Sequence, residues 1–241
     1  LMPTFKHKPS GKRFFFAHIP RTAGRFIEYN FVLVEKNECM WDPDEQLKFD
    51  NGLGIMSVVH GAEVAHYHKE HYEKYLDVEG IPHFSIIRNP IDRFISGSMY
   101  IKRKYGDDIQ ELMEDEMYFY SMLDNMPVQE SVNWYRPMVD FMTEKTNIWR
   151  FEDGFGDDFV SWLSGIIGID LAFEHDVYYP KAQDESNKLE KTPKLIHNLK
   201  QLYRKDIEAF YPELATPFEE GTEAILKTPS TSSSKGEVKS V

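Results

Sequence analysis

Arg21 and Gly24 stand in a short loop between an apolar run and a helix-like pattern, a placement that suits an anion. The stretch from Phe14 to Tyr29 reads FFFAHIPRTAGRFIEY. Phe14, Phe15, Phe16, Ala17 and Ile19 form the apolar run, which stops at Pro20. Arg21-Thr22-Ala23-Gly24 follows, and Phe26, Ile27, Phe31 and Val34 then recur at helical spacing. Strand, tight loop and helix together offer backbone N–H groups and a helix N-terminus to a negative ligand. Gly24 lets the backbone approach closely, and Arg21 adds a charge that cannot be lost. The loop is not the G-x-x-x-x-G-K-[ST] loop of nucleotide triphosphatases: it is shorter, and the cation precedes the glycine.

A second cation sits in a similar context. Phe84 to Tyr100 read FSIIRNPIDRFISGSMY. Phe84, Ile86 and Ile87 suggest a buried strand ending at Arg88, and Pro90 opens a helix in the first turn, where proline is tolerated. Arginine suits phosphate because its planar fork donates two parallel hydrogen bonds. Between these segments, SVVHGAEVAHYHKEH places His60 at the end of a further expected strand. An imidazole of near-neutral pKa there suits proton abstraction, although it could equally cap the following helix. Glu63 is the reserve base. His66, His68 and His71 lack the H-E-x-x-H spacing of a zinc site and read as residues on a helix surface, so no metal is expected.

HIPRTAG resembles the phosphosulfate-binding loop of the sulfotransferases, which has the flavour H-I-P-K-T-A-G-T. These enzymes carry sulfate from 3′-phosphoadenosine 5′-phosphosulfate (PAPS) to an acceptor. The second segment resembles their R-x-P-x-x-R-x-x-S block, whose first Arg and Ser bind the cofactor 3′-phosphate; the matching residues are Arg88 and Ser96. NWYRPMVDFM (Asn133 to Met142), NIWRFEDGFGDDFVSWLSGIIGI (Asn147 to Ile169) and LIHNLKQLYRKDIEAFYPE (Leu195 to Glu213) are similar to later blocks of the carbohydrate-type members. The likeness spans about Arg13 to Pro212 and is strongest in the two cofactor blocks.

The resemblance implies a donor loop over Arg21, Thr22, Ala23, Gly24, Arg25 and Phe26, with Arg21 stabilising the departing phosphate. The family usually has Lys at the Arg21 position and Thr or Ser at those of Arg25 and Phe26. Some members have H-G-H with a catalytic histidine where this chain has His60, Gly61 and Ala62. PAPS-dependent sulfuryl transfer to a hydroxyl, expected to be that of a carbohydrate, leads. A P-loop-like kinase is the alternative enzyme, and a catalytically inactive nucleotide-binding homologue the alternative binder.

Strands are expected at 13–19, 55–59, 83–87 and 147–151. Helices are expected at 24–35, 62–76, 90–104, 108–123, 130–141, 157–167 and 193–210. Alternating β and α predict an α/β fold, a P-loop-like parallel sheet with helices on both faces and ligands at the strand carboxyl ends. Residues 1–12 read as an N-terminal extension and 13–218 as the sulfotransferase domain. Ser, Thr, Lys and Gly dominate 219–241, which reads as a disordered tail.

The 241 residues are 41% hydrophobic, enough for a core, and carry a net charge of −12. That charge is uneven: +2 over residues 1–105 and −14 over 106–241. The acidic half disfavours nucleic acid as a partner. Cys39 is the only cysteine, so no intrachain disulfide can form. No run approaches 18 consecutive apolar residues. A cytoplasmic location is expected, or the Golgi lumen if the chain is a piece of an anchored protein.

Overall fold

A computed structural model of the chain describes residues 4–33, 41–43, 58–59, 62–124, 133–174 and 187–215. The expected tail and His60 lie outside these residues. Five strands make the main sheet: β1 (Thr4–His7), β2 (Arg13–Phe16), β3 (Trp41–Pro43), β6 (His83–Ile87) and β7 (Thr146–Arg150), in the order β3-β1-β2-β6-β7. β2, β6 and β7 run parallel, whereas β1 is antiparallel to both β2 and β3. The sheet is therefore mixed, not wholly parallel. Residues 4–7, read from sequence as part of an extension, are a sheet strand. A tight turn explains this: Gly11 takes a φ of 69°, Gly11 N donates to His7 O at 2.8 Å, and His7 N donates to Lys12 O at 2.8 Å. So short a link can only join antiparallel strands.

β6 is buried along its whole length, as befits a strand covered on both faces. Side-chain alternation along β2 divides the core. Phe14 and Phe16 join Phe84 and Ile86 on one face. There they meet Phe26 and Ile27 of α1 (Gly24–Glu28) and Phe159 and Leu163 of α7 (Asp157–Ile167). Phe15 and Ala17 point the other way, toward Tyr72 of α2 (Lys69–Tyr75). Helices thus flank the sheet on both sides. Each of these fully buried aromatic side chains contributes about 1.5–3 kcal/mol by leaving water.

A second core lies among helices. Phe94 of α3 (Pro90–Gly97) and Ile101 of α4 (Met99–Tyr105) pack with Ile109 of α5 (Ile109–Glu114) and Phe119 of α6 (Glu116–Asp124). Leu195 and Leu199 of α8 (Pro193–Leu202) complete the layer. Thr192 caps α8 by accepting from Leu195 N at 3.3 Å, with Pro193 in the first position. α9 (Arg204–Phe210) follows after a break at Tyr203.

Several expected helices are shorter than their apolar patterns. The 90–104 helix breaks at Ser98, whose hydroxyl bonds back to Ile95 O at 2.8 Å and accepts from Leu189 N at 2.9 Å. The 108–123 helix restarts at Asp115, whose Oδ1 accepts from Met117 N and Tyr118 N. In place of a helix from residue 62, β4 (Val58–Val59) and β5 (Ala62–Glu63) pair in an antiparallel hairpin, followed by a 3-10 turn at Val64–His66. Over the described part of the expected 130–141 helix, residues 133–141, the helical structure is a 3-10 turn at Met138–Phe141. Pro137 accounts for it, because the residue before a proline is pushed out of the α region.

Candidate functional site

The site is built at the carboxyl ends of β2 and β6, where loops of a parallel sheet converge. Arg21 and Ala23 both have left-handed backbones, φ 69° and 70°, although neither is glycine. Such conformations persist only where surrounding structure fixes them, and they gather at functional sites. Thr22 supplies part of the restraint: it is fully buried, and its Oγ1 donates to Ile19 O at 2.7 Å. The side chain of Thr22 therefore braces the loop from inside.

Three of the expected residues meet. Arg21 donates to Ser96 Oγ from Nε at 3.1 Å and from Nη2 at 2.9 Å. Arg88 Nη1 donates to Arg21 O at 3.2 Å. Ser96 is buried on α3. Aromatic rings flank both cations: Arg21 lies 5.6 Å from the Trp134 ring and Arg88 lies 4.4 Å from that of Phe151. Such faces hold a guanidinium in a fixed plane. Burial, and to a smaller extent the Arg21 charge, lowers the Arg88 pKa from its usual value.

Other expected residues do not join them. The Phe26 side chain is buried among Phe155, Phe159 and Phe173, and its N–H is spent on Ala23 O at 2.9 Å. The Phe26 side chain is thus part of the core. Arg25 is exposed beside it. Gly24 opens α1 with Ala23 as its N-cap. Arg150, at the end of β7, pairs with Glu213 Oε1 at 2.6 Å.

The histidines differ from the sequence reading. His66 and His68 are buried, not surface, because the chain around them is hairpin and 3-10 turn rather than an amphipathic helix. His66 Nδ1 donates to His18 O at 3.1 Å, and Asn133 Nδ2 donates to His66 O at 2.9 Å. Burial pushes the pKa of His66 and that of His68 down to about 4. Glu63, 2% exposed with Oε1 unpartnered, has its carboxyl pKa raised by burial. Among the described residues, no three His, Cys, Asp or Glu converge as a metal site.

Trp134, Phe151 and Glu152 lie in the later blocks read from sequence, but their partnerships with Arg21, Arg88 and Asn89 were not foreseen. Glu152 Oε1 accepts from Asn89 N at 2.7 Å and Oε2 from Tyr211 O–H at 2.9 Å. That carboxylate anchors the backbone just past Arg88. Asn89 Oδ1 caps α3 by accepting from Ile91 N and Asp92 N. Gly97 marks the close approach of α3 to this layer: a Cβ there would lie 3.3 Å from Trp134 and 3.7 Å from Arg21.

No protein-family model, curated protein or solved structure matches this chain. Among the described residues, no helix is long and apolar enough to cross a membrane.

Proposed function

We propose that the chain is a P-loop-like, PAPS-dependent sulfotransferase acting on a hydroxyl, with a carbohydrate as the favoured acceptor class. The meeting of Arg21, Ser96 and Arg88 at the ends of two parallel strands carries this reading. Two guanidinium groups and a hydroxyl around a left-handed loop fit a nucleotide with two phosphate-bearing ends. The motif resemblance assigns the ends: Arg88 and Ser96 to the 3′-phosphate, Arg21 and the loop N–H groups to the 5′-phosphosulfate.

Ser96 is compatible with both ends. Its oxygen accepts from Arg21, which leaves its O–H to donate to a 3′-phosphate. In the transfer, the acceptor oxygen bonds to sulfur as the bond from sulfur to the phosphate oxygen breaks. The phosphate keeps the electron pair, and Arg21 stabilises the charge that develops there. The acceptor proton goes to a base, His60 in this reading, with Glu63 in reserve. Positioning and electrostatics dominate such displacements, as in phosphoryl transfer.

Incubation with radiolabelled PAPS and a panel of glycans and phenols tests the function. Label on a glycan is the expected result. Donor binding without turnover on any acceptor would favour the inactive homologue, and phosphate transfer from ATP the kinase.

A further inference from the structure

His18 lies just beyond β2, 6% exposed. Its ring stacks on Phe16 at 5.1 Å and 19°, and it sits 4.3 Å from the His66 ring. His66 Nδ1 also holds the His18 carbonyl. Burial first, and the neighbouring His66 next, keep the His18 pKa well below its usual value, so the ring is neutral. Its Nδ1 is buried without a hydrogen-bond partner. The imidazole is therefore fixed by packing from behind.

The opposite edge of the ring meets the anion loop. A Cβ on residue 24 would lie 1.9 Å from His18 Nε2, 2.2 Å from Cε1 and 2.8 Å from Cδ2. Gly24 is helical, a conformation open to any residue. The ring, and not the backbone angle, is what demands glycine here.

We propose that His18 is a positioning residue for the 5′-phosphosulfate end of the nucleotide, acting through Gly24; this rests on the donor reading above. The ring is a rigid seat for Gly24 and fixes where the first N–H groups of α1 point. Arg88 and Ser96 are carried by β6 and α3 and touch the loop at Arg21, three residues before Gly24, so contacts to the 3′-phosphate depend far less on this seat.

Calorimetry with adenosine 3′,5′-bisphosphate and with 3′-AMP tests it on wild type, His18→Ala, Gly24→Ala and the double variant. His18→Ala is expected to weaken the bisphosphate about tenfold while leaving 3′-AMP affinity within about twofold. Gly24→Ala is expected to be more damaging in the wild-type background than beside His18→Ala, where the vacated ring volume accepts the new methyl group. Additive penalties, or equal weakening of both nucleotides, would overturn the proposal. Imidazole NMR on the wild type needs no variant to fold: the His18 signals should move with the bisphosphate and not with 3′-AMP. Identical responses to the two would also overturn it. A wild type that binds neither nucleotide sinks the donor reading and this proposal together, whereas the other adverse results strike His18 alone.

Discussion

Replacing Arg21 by alanine is expected to slow sulfuryl transfer by about 10²–10³, the usual cost of losing one donor aimed at developing charge. The structure gives this a geometric basis. Arg21 is held by two bonds to Ser96 and by the Trp134 ring, on a loop whose backbone is locked by Thr22. A guanidinium so placed needs no reorganisation when the leaving phosphate gains charge. Affinity for the product nucleotide should fall far less, because Arg88 and the loop N–H groups remain. Arg21→Lys keeps the charge and supplies the residue usual in the resembled family, so it should retain or raise turnover. It also gives up the forked contact with Ser96, a loss that should show in nucleotide affinity. Single-turnover rates, measured beside equilibrium binding, separate the two effects. Near-normal turnover in Arg21→Ala would mean that another group faces the phosphosulfate.

The second large effect concerns the base. His60→Ala is expected to cost about 10²–10⁴ in rate, typical of general-base removal, while donor affinity stays nearly intact. Wild-type turnover should also fall as pH drops through the imidazole pKa, and the variant should lose that limb. Glu63 is the competitor. Its carboxyl is buried with an unpartnered oxygen, and burial raises its pKa. Glu63 too would lose activity on acidification, because the carboxylate protonates as pH falls. The pH limb alone therefore does not separate the candidates. Paired variants do: His60→Ala should abolish the limb and Glu63→Gln should leave it. The reverse outcome would transfer the role to Glu63.

Elements specified by local pattern were legible in the sequence. The strand His83–Ile87 and the helix Asp157–Ile167 have the bounds expected of them, because each is bracketed by clear breaks: Pro82 and Arg88-Asn89-Pro90, then Gly156 and Gly168. Thr192 and Pro193 announced the start of α8 in the same way. Arg21 and Arg88 were legible as cations placed just after apolar runs, whereas Ser96 was marked only by the resemblance; the structure brings the three together. What failed was non-local. TFKH carries no strand signature of its own and becomes β1 only because it pairs with two partners. His66 and His68 occur at spacings that suit an exposed helix, yet tertiary packing buries them. Trp134 and Phe151 lie under guanidinium groups more than 60 residues distant in sequence, and no local pattern announces such pairs. Pro137 was a readable signal that outweighed the apolar periodicity around it.

The central claim is that the site reads a nucleotide carrying a 3′-phosphate, and calorimetric titration tests it most directly. Adenosine 3′,5′-bisphosphate and 5′-AMP differ only in that phosphate, the group assigned to Arg88 and Ser96. The wild type is expected to bind the bisphosphate more tightly, and Arg88→Ala to lose most of that preference while binding AMP much as before. Equal affinity of the wild type for the two nucleotides would contradict the account.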